Sequence, residues 1–348
     1  MTVLFVGSYA PAGDPGIHAF TFDGASGDLR PAASFAGVTN PSFLATAGDY
    51  LYAVGETGRG SHGTHGSVHA FRIDRQGASI DLVPLNRRSS AGDYPCHLRL
   101  DHAGRRLAVA NYGGGSVAVF PILPDGSLGE MTALVQHSGE GPNPARQEGP
   151  HAHSSIFSPD DRFLIVADLG IDRLVVYAVD GSALTTYGWT ATAPGAGPRH
   201  LAFQPDGEHL FAANELDNTL TSYWYDAARG FLESLQTVPT LPPDAPANTA
   251  ADLHRSPAGD FVYVSNRGHN SIAVFAFDPE DGLARTAIRS CGGDWPRGFA
   301  PVPDGRYLMV ANRRSDEVTL LPLLDGGAGI GDPVSRAAVR EPSCVVFG

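Results

Sequence analysis

Hydrophobic residues recur along the chain in short bursts that are too brief for helices and too regular for loops. One seven-residue burst appears seven times: GIHAFTF (16–22), SVHAFRI (67–73), SVAVFPI (116–122), RLVVYAV (173–179), TLTSYWY (219–225), SIAVFAF (271–277) and EVTLLPL (317–323). Successive starts lie 51, 49, 57, 46, 52 and 46 residues apart. The bursts are rich in β-branched and aromatic residues and apolar at consecutive positions, as expected of strands buried on both faces. Asp-Gly pairs follow several of them (Asp125-Gly126, Asp180-Gly181, Asp281-Gly282 and Asp325-Gly326), predicting a tight turn into a further strand.

A second motif precedes most bursts: HLRLDHAGRRLAVAN (97–111), FSPDDRFLIVAD (157–168), HLAFQPDGEHLFAAN (200–214), LHRSPAGDFVYVSN (253–266) and FAPVPDGRYLMVAN (299–312), with FLATAGDYLYAVG (43–55) as a looser copy. It reads as strand, turn, strand. Together the two motifs predict a four-stranded antiparallel meander repeated seven times. Sheets apolar on both faces must stack on neighbours, and a ring of them is an all-β, seven-bladed propeller. The C-terminal EPSCVVFG matches the first half of the second motif, and residues 2–8, TVLFVGS, match its second half. One blade is therefore expected to combine both chain ends, closing the circle and removing free edges. Residues 1–348 are expected to form one domain, since no composition shift marks a linker.

In such a blade the first strand lines the central channel and the second runs antiparallel beside it. Residues eight before and eight after the turn glycine are then neighbours at one end, roughly 5 Å apart in regular pairing. Around Gly207 the pair is Arg199 and Glu215. The same offset elsewhere pairs Asn40 with Glu56, Cys96 with Tyr112, His153 with Leu169, Ala251 with Arg267, and Arg297 with Arg313. One channel mouth is thus expected to gather Arg199, Arg267, Arg297 and Arg313 with Glu56, Glu215 and His153. Guanidinium forks match carboxylate and phosphate oxygens, so the ring reads as an anion trap; interblade ion pairs are the plain structural alternative. His151 shares strand parity with His153, and Asp252 and His254 share a face, making all three candidate substrate-binding or supporting groups.

Charge sharpens this reading. The net charge is −13, with 24 basic residues, every one an arginine. Without lysine there is no Schiff-base chemistry and no lysine-bearing phosphate loop. An acidic chain lacks the broad basic face that nucleic acid or an anionic membrane would need. The partner expected is a small anion held by a few local arginines. Three dispersed cysteines with no CxxC pair suit a reducing compartment. The N-terminal stretch lacks a basic leader and no segment approaches the roughly 18 apolar residues of a membrane span, so a soluble, cytoplasmic protein is expected.

Other motifs carry less. His62 and His65 have an HxxH spacing in a glycine-rich segment, with no carboxylate or third ligand nearby in sequence, so no metal site is expected. Gly113-Gly114-Gly115 lies between strands and is no nucleotide-binding loop, and no GxSxG elbow is present.

GPRHLAFQPDGEHLFAANEL (197–216), supported by PHAHSSIFSPDDRFLIVADLG (150–170), ADLHRSPAGDFVYVSNR (251–267) and PRGFAPVPDG (296–305), resembles the seven-bladed propeller lactonase family. That family includes propeller-type 6-phosphogluconolactonases and fungal carboxy-cis,cis-muconate cyclases. The resemblance implies a site of one histidine, two arginines and one glutamate, which fall on His153, Arg199, Glu215 and Arg267. It implies a cofactor-independent hydrolase acting on 6-phospho-D-glucono-1,5-lactone, in which His153 or Glu215 is the base and Arg297 and Arg313 hold the phosphate. A lactone-forming cyclase and a non-enzymatic binding propeller are the alternative readings.

Overall fold

The computed structural model describes residues 2–76 and 79–348. The seven bursts become the third strands of seven sheets, among them Ile17–Asp23, Ser116–Pro121 and Glu317–Leu324. Each sheet is an antiparallel meander. Blade 5 is typical: Pro198–Phe203 innermost, then His209–Asn214, Thr219–Asp226 and Phe231–Pro239. Blade 7 departs from the pattern at its edge, where Glu317–Leu324 pairs with two short pieces, Gly329–Ile330 and Ser335–Ala338, in place of one outer strand. The Asp-Gly turns form as expected, with φ of +81°, +57°, +80° and +70° at Gly126, Gly181, Gly282 and Gly326. Glycine carries this left-handed conformation without a Cβ clash.

Blade 1 takes its innermost strand, Pro342–Phe347, from the C-terminus and its second, Thr2–Ser8, from the N-terminus, with Leu4 opposite Phe347 and Gly7 opposite Cys344. Seven apolar clusters fill the seven blade interfaces. Leu4 and Val6 face Met309 and Leu320 of blade 7, while Phe5 between them faces Leu51 and Phe71 of blade 2. That alternation is the period of a strand, with both faces dry. The chain ends therefore lie inside a packed interface and the ring has no open edge.

Regular pairing fails at one place in the inner strands of six blades. In blade 5, Pro198 pairs with Asn214 and His200 with Ala213, leaving Arg199 as the extra residue of a β-bulge. The register shifts likewise at Cys96, His153, Arg297 and Ser343, and across residues 251–252 in blade 6. The expected pairings are corrected accordingly. Gly197, not Arg199, lies opposite Glu215, whose N–H donates to the Gly197 carbonyl at 2.8 Å. The same shift puts Tyr94 opposite Tyr112, His151 opposite Leu169, Thr249 opposite Arg267 and Trp295 opposite Arg313. Asn40 does lie opposite Glu56, which makes Ser42 the counterpart of Arg199 in blade 2. In five of the blades the residue two before the bulge position or its counterpart is left-handed: φ is +63° at Gly197 and +48°, +52°, +65° and +39° at Asn40, Tyr94, Trp295 and Glu341. Four side chains are thus held in a conformation that glycine normally supplies, around one mouth of the channel.

Candidate active site

Glu215 leaves the second strand of blade 5 at this mouth and is 4% exposed. Three arginines from different parts of the chain close on its carboxylate. Arg146 Nη2 donates to Oε1 at 2.6 Å, while Arg199 Nε and Arg267 Nη2 lie 2.9 and 2.7 Å from Oε2. Two of the three are also anchored to backbone: Arg199 Nη1 donates to the Ala251 carbonyl at 2.7 Å and Arg267 Nη2 to the Ala250 carbonyl at 3.1 Å. Burial alone would raise the Glu215 pKa, but Arg267, Arg199 and Arg146 outweigh it and hold the carboxyl well below its ordinary value. Burial pushes Arg267 down to about 10 despite Glu215. Glu215 is therefore a fixed counter-ion and a weak proton acceptor.

His153 occupies the bulge of blade 4 and is 5% exposed. Its ring meets Tyr112 edge-on at 5.6 Å and His200 at 5.3 Å. Burial, then Arg199, His200 and Arg297, hold its pKa well below the ordinary histidine value, so the imidazole is neutral. The Cys96 sulfur lies 3.9 Å from His153 Nδ1, but burial pushes that thiol up to about 12, so it is not a thiolate. His151 stacks flat on Tyr112 at 4.5 Å, and its Nδ1 lies 3.0 Å from the Tyr112 carbonyl. The two histidines thus share one tyrosine at different depths.

Across the mouth, Glu56 accepts hydrogen bonds from Tyr9 Oη at 2.9 Å and from Ser42 Oγ. The Arg297 guanidinium lies 5.2 Å from the Tyr9 ring centroid and, among the described residues, has no carboxylate oxygen within 4 Å. Burial alone would lower its pKa, but Tyr9 and Glu56 outweigh that and raise it. Four guanidiniums (Arg146, Arg199, Arg267, Arg297) thus face two carboxylates (Glu56, Glu215), a local excess of positive charge within a chain of net −13.

Arg313 lies slightly outside this group. It is paired with Glu341 at 2.8 Å and stacked 4.2 Å over Tyr9, bordering a depression of about 440 Å³ with Trp295 and Arg314. Asp252 and His254 do not belong to the mouth. Asp252 is bound to His200 at 2.6 Å and to His254 at 3.2 Å, and both residues line a cavity toward the other end of the channel. They sit one and three residues beyond the bulge position Ala251, and each strand residue advances about 3.3 Å along the channel. His65 has found a carboxylate, Asp93, at 2.9 Å. Among the described residues no group of three or more histidine, cysteine or acidic side chains could hold a metal ion.

Arg146 is the functional candidate that the repeat pattern misses. It lies in the long connection between blades 3 and 4, outside both motifs. Gln147 fixes that connection: its Nε2 donates to the Leu169 carbonyl and to Asp172 Oδ1, both at 2.8 Å, while its Oε1 accepts from Asn143 N. The asparagines that end second strands have structural work instead. Asn214 and Asn312 are buried and donate to Thr219 and Thr319 of their own third strands.

No helix is long and apolar enough to cross a membrane. The family model for "Lactonase, 7-bladed beta-propeller" matches residues 3–347. A 6-phosphogluconolactonase of Bacillus subtilis (strain 168) is 35% identical over 347 residues, covering 99% of this chain and 97% of that protein. A 6-phosphogluconolactonase of Formosa agariphila is 32% identical over 328 residues, 91% of each chain. The solved structure of the periplasmic gluconolactonase of Pseudomonas aeruginosa superposes with a TM-score of 0.91 at 34% identity, covering 99% of this chain and 98% of that one. With seven closed blades and an end-to-end match, the chain belongs to the lactonase family of seven-bladed β-propellers.

Proposed function

We propose that this lactonase-family protein hydrolyses 6-phospho-D-glucono-1,5-lactone to 6-phosphogluconate at the arginine-rich mouth. The observation that carries the reading is the arrangement around Glu215: three guanidiniums held by one buried carboxylate, beside a neutral histidine and an arginine without a carboxylate partner. Ring opening needs a water stripped of its proton as it attacks and a positive group at the carbonyl oxygen as charge develops. His153 is the better base of the two candidates. Its neutral imidazole can accept a proton at working pH, whereas Glu215 is committed to three cations.

Arg199 and Arg267 already spend donors on Glu215 and on backbone carbonyls, so in this reading they shape the electrostatic field of the site. Arg297 has the freest charge and is assigned to the developing oxyanion or the phosphate, with Arg146 as the second anion ligand. Arg313 and His151 supply the outer wall. The three cysteines are free and buried, in keeping with a cytoplasmic setting.

The test is a hydrolysis assay with phosphorylated and unphosphorylated gluconolactone, corrected for spontaneous opening, with a muconate-type carboxylate as control. Preference for the phosphorylated lactone that Arg297→Gln abolishes supports the reading. Equal rates on both lactones, or turnover of the muconate alone, would remove it.

A further inference from the structure

The far end of the channel holds a second cavity of about 510 Å³ that the proposed chemistry does not use. Its walls combine Phe43, Ile156, Leu201 and Phe203 with two arginines, Arg99 on the inner strand of blade 3 and Arg255 on that of blade 6. Neither arginine has a carboxylate oxygen within 4 Å among the described residues. Arg255 donates only to carbonyl oxygens: Nε to Phe203 at 3.0 Å, and Nη1 to Ser256 and Pro257, each at 3.1 Å. The Arg99 side chain, exposed to solvent, makes no hydrogen bond to any described residue. Arg255 is half-buried, and both arginines border the same cavity.

The nearby carboxylates are already engaged. Asp252 is held by His200, His254 and the Phe299 N–H, while Asp101 pairs with Arg106 at 3.0 Å and Asp161 with His102 at 2.7 Å. Two guanidiniums without a carboxylate partner, bordering one concave space whose polar lining is interrupted by Phe43, Leu201 and Phe203, favour an anion that brings some apolar surface of its own.

We propose that this cavity is a second ligand site, for a small organic anion with a carboxylate or phosphate head on an apolar body. The head sits between Arg99 and Arg255, and the body lies against Phe43, Leu201 and Phe203. The proposal does not depend on the substrate assigned to the mouth.

Calorimetric titration of the full chain with benzoate, phenyl phosphate and inorganic phosphate tests it. At least one aromatic anion should bind at a site distinct from the mouth and, with the mouth disabled by Arg297→Gln, outcompete inorganic phosphate there, the better of the two identifying the head group. Arg99→Gln should weaken that binding tenfold or more, while Arg297→Gln at the mouth leaves it unchanged. Arg99 supports no backbone, so its variant should fold even if Arg255→Met does not. Absence of binding by both aromatic anions would overturn the proposal, as would binding indifferent to Arg99→Gln or lost with Arg297→Gln. With the mouth disabled by Arg297→Gln, inorganic phosphate binding as tightly as phenyl phosphate would equally count against the apolar subsite.

Discussion

The two ends of the channel use arginine in opposite ways. At the mouth, Arg199 and Arg267 are buried against a shared carboxylate, with Arg146 closing from the side. At the far end, Arg99 and Arg255 have no carboxylate partner and border phenylalanine and leucine. Desolvating a guanidinium costs several kcal/mol unless a partner and good geometry repay it. The mouth meets that cost internally, with Arg199 and Arg267 both buried, whereas at the far end Arg99 stays exposed to water and Arg255 only half-buried. Convergence of arginines therefore does not by itself distinguish the two ends; what sets the mouth apart is the carboxylate that fixes its arginines and the neutral histidine beside them.

The strongest way to break this contrast is to remove the shared counter-ion. Glu215→Ala strands Arg199 and Arg267, each largely buried, and should cost about 3–5 kcal/mol of stability at neutral pH, together with most lactonase turnover. Urea unfolding at pH 7 gives the first quantity. Because the folded-state pKa of Glu215 is depressed, its stabilisation is complete above the ordinary carboxylate range and is lost as pH falls. The gap between wild type and variant should accordingly shrink in acid. A variant as stable as wild type at pH 7 would make the triple clamp energetically idle.

Next in size is His153→Ala, expected to lower kcat about 10²–10³-fold with a far smaller change in melting temperature. A merely structural histidine would show the reverse pattern. Arg297→Gln comes third: KM for the phosphorylated lactone should rise about tenfold or more, with little change for the unphosphorylated one. The smallest effect concerns pH. Since the His153 pKa is lowered, the base stays neutral below the usual histidine range, and kcat/KM should remain level as pH falls from 8 through 6.5. An acid limb centred near 6.5 would assign the proton to another group.

Most of the architecture could be read from the residues, because a third strand buried on both faces leaves consecutive apolar positions that no exposed element would tolerate. Seven such segments, with the seventh copy of the second motif split between the chain ends, were enough for blade number and closure. The bulges were hidden, since one extra residue in a strand has no compositional mark; together with a turn that pairs Phe203 with Leu210, one residue off a register centred on Gly207, the bulge displaced the partner of Glu215 by two positions. The arginine and the carboxylate still meet because both leave their strands at the same end of the blade. Arg146 could not be found from periodicity at all; it is placed by the hydrogen bonds of Gln147 in a connection that belongs to no repeat. Asp252 and His254 were grouped with the mouth because strand parity reports which face a residue occupies and is silent about depth along the channel.

The bulge has a consequence of its own. Ser42, Cys96, His153, Arg199, Ala251, Arg297 and Ser343 occupy equivalent extra positions, one from each blade. A residue outside the ladder can change its side chain without disturbing the hydrogen bonds that hold its sheet together. The scaffold thus offers seven sockets around one opening, filled here by two hydroxyls, a thiol, an imidazole, a methyl group and two guanidiniums. Reactivity can be rewired socket by socket while the disc that carries them stays the same.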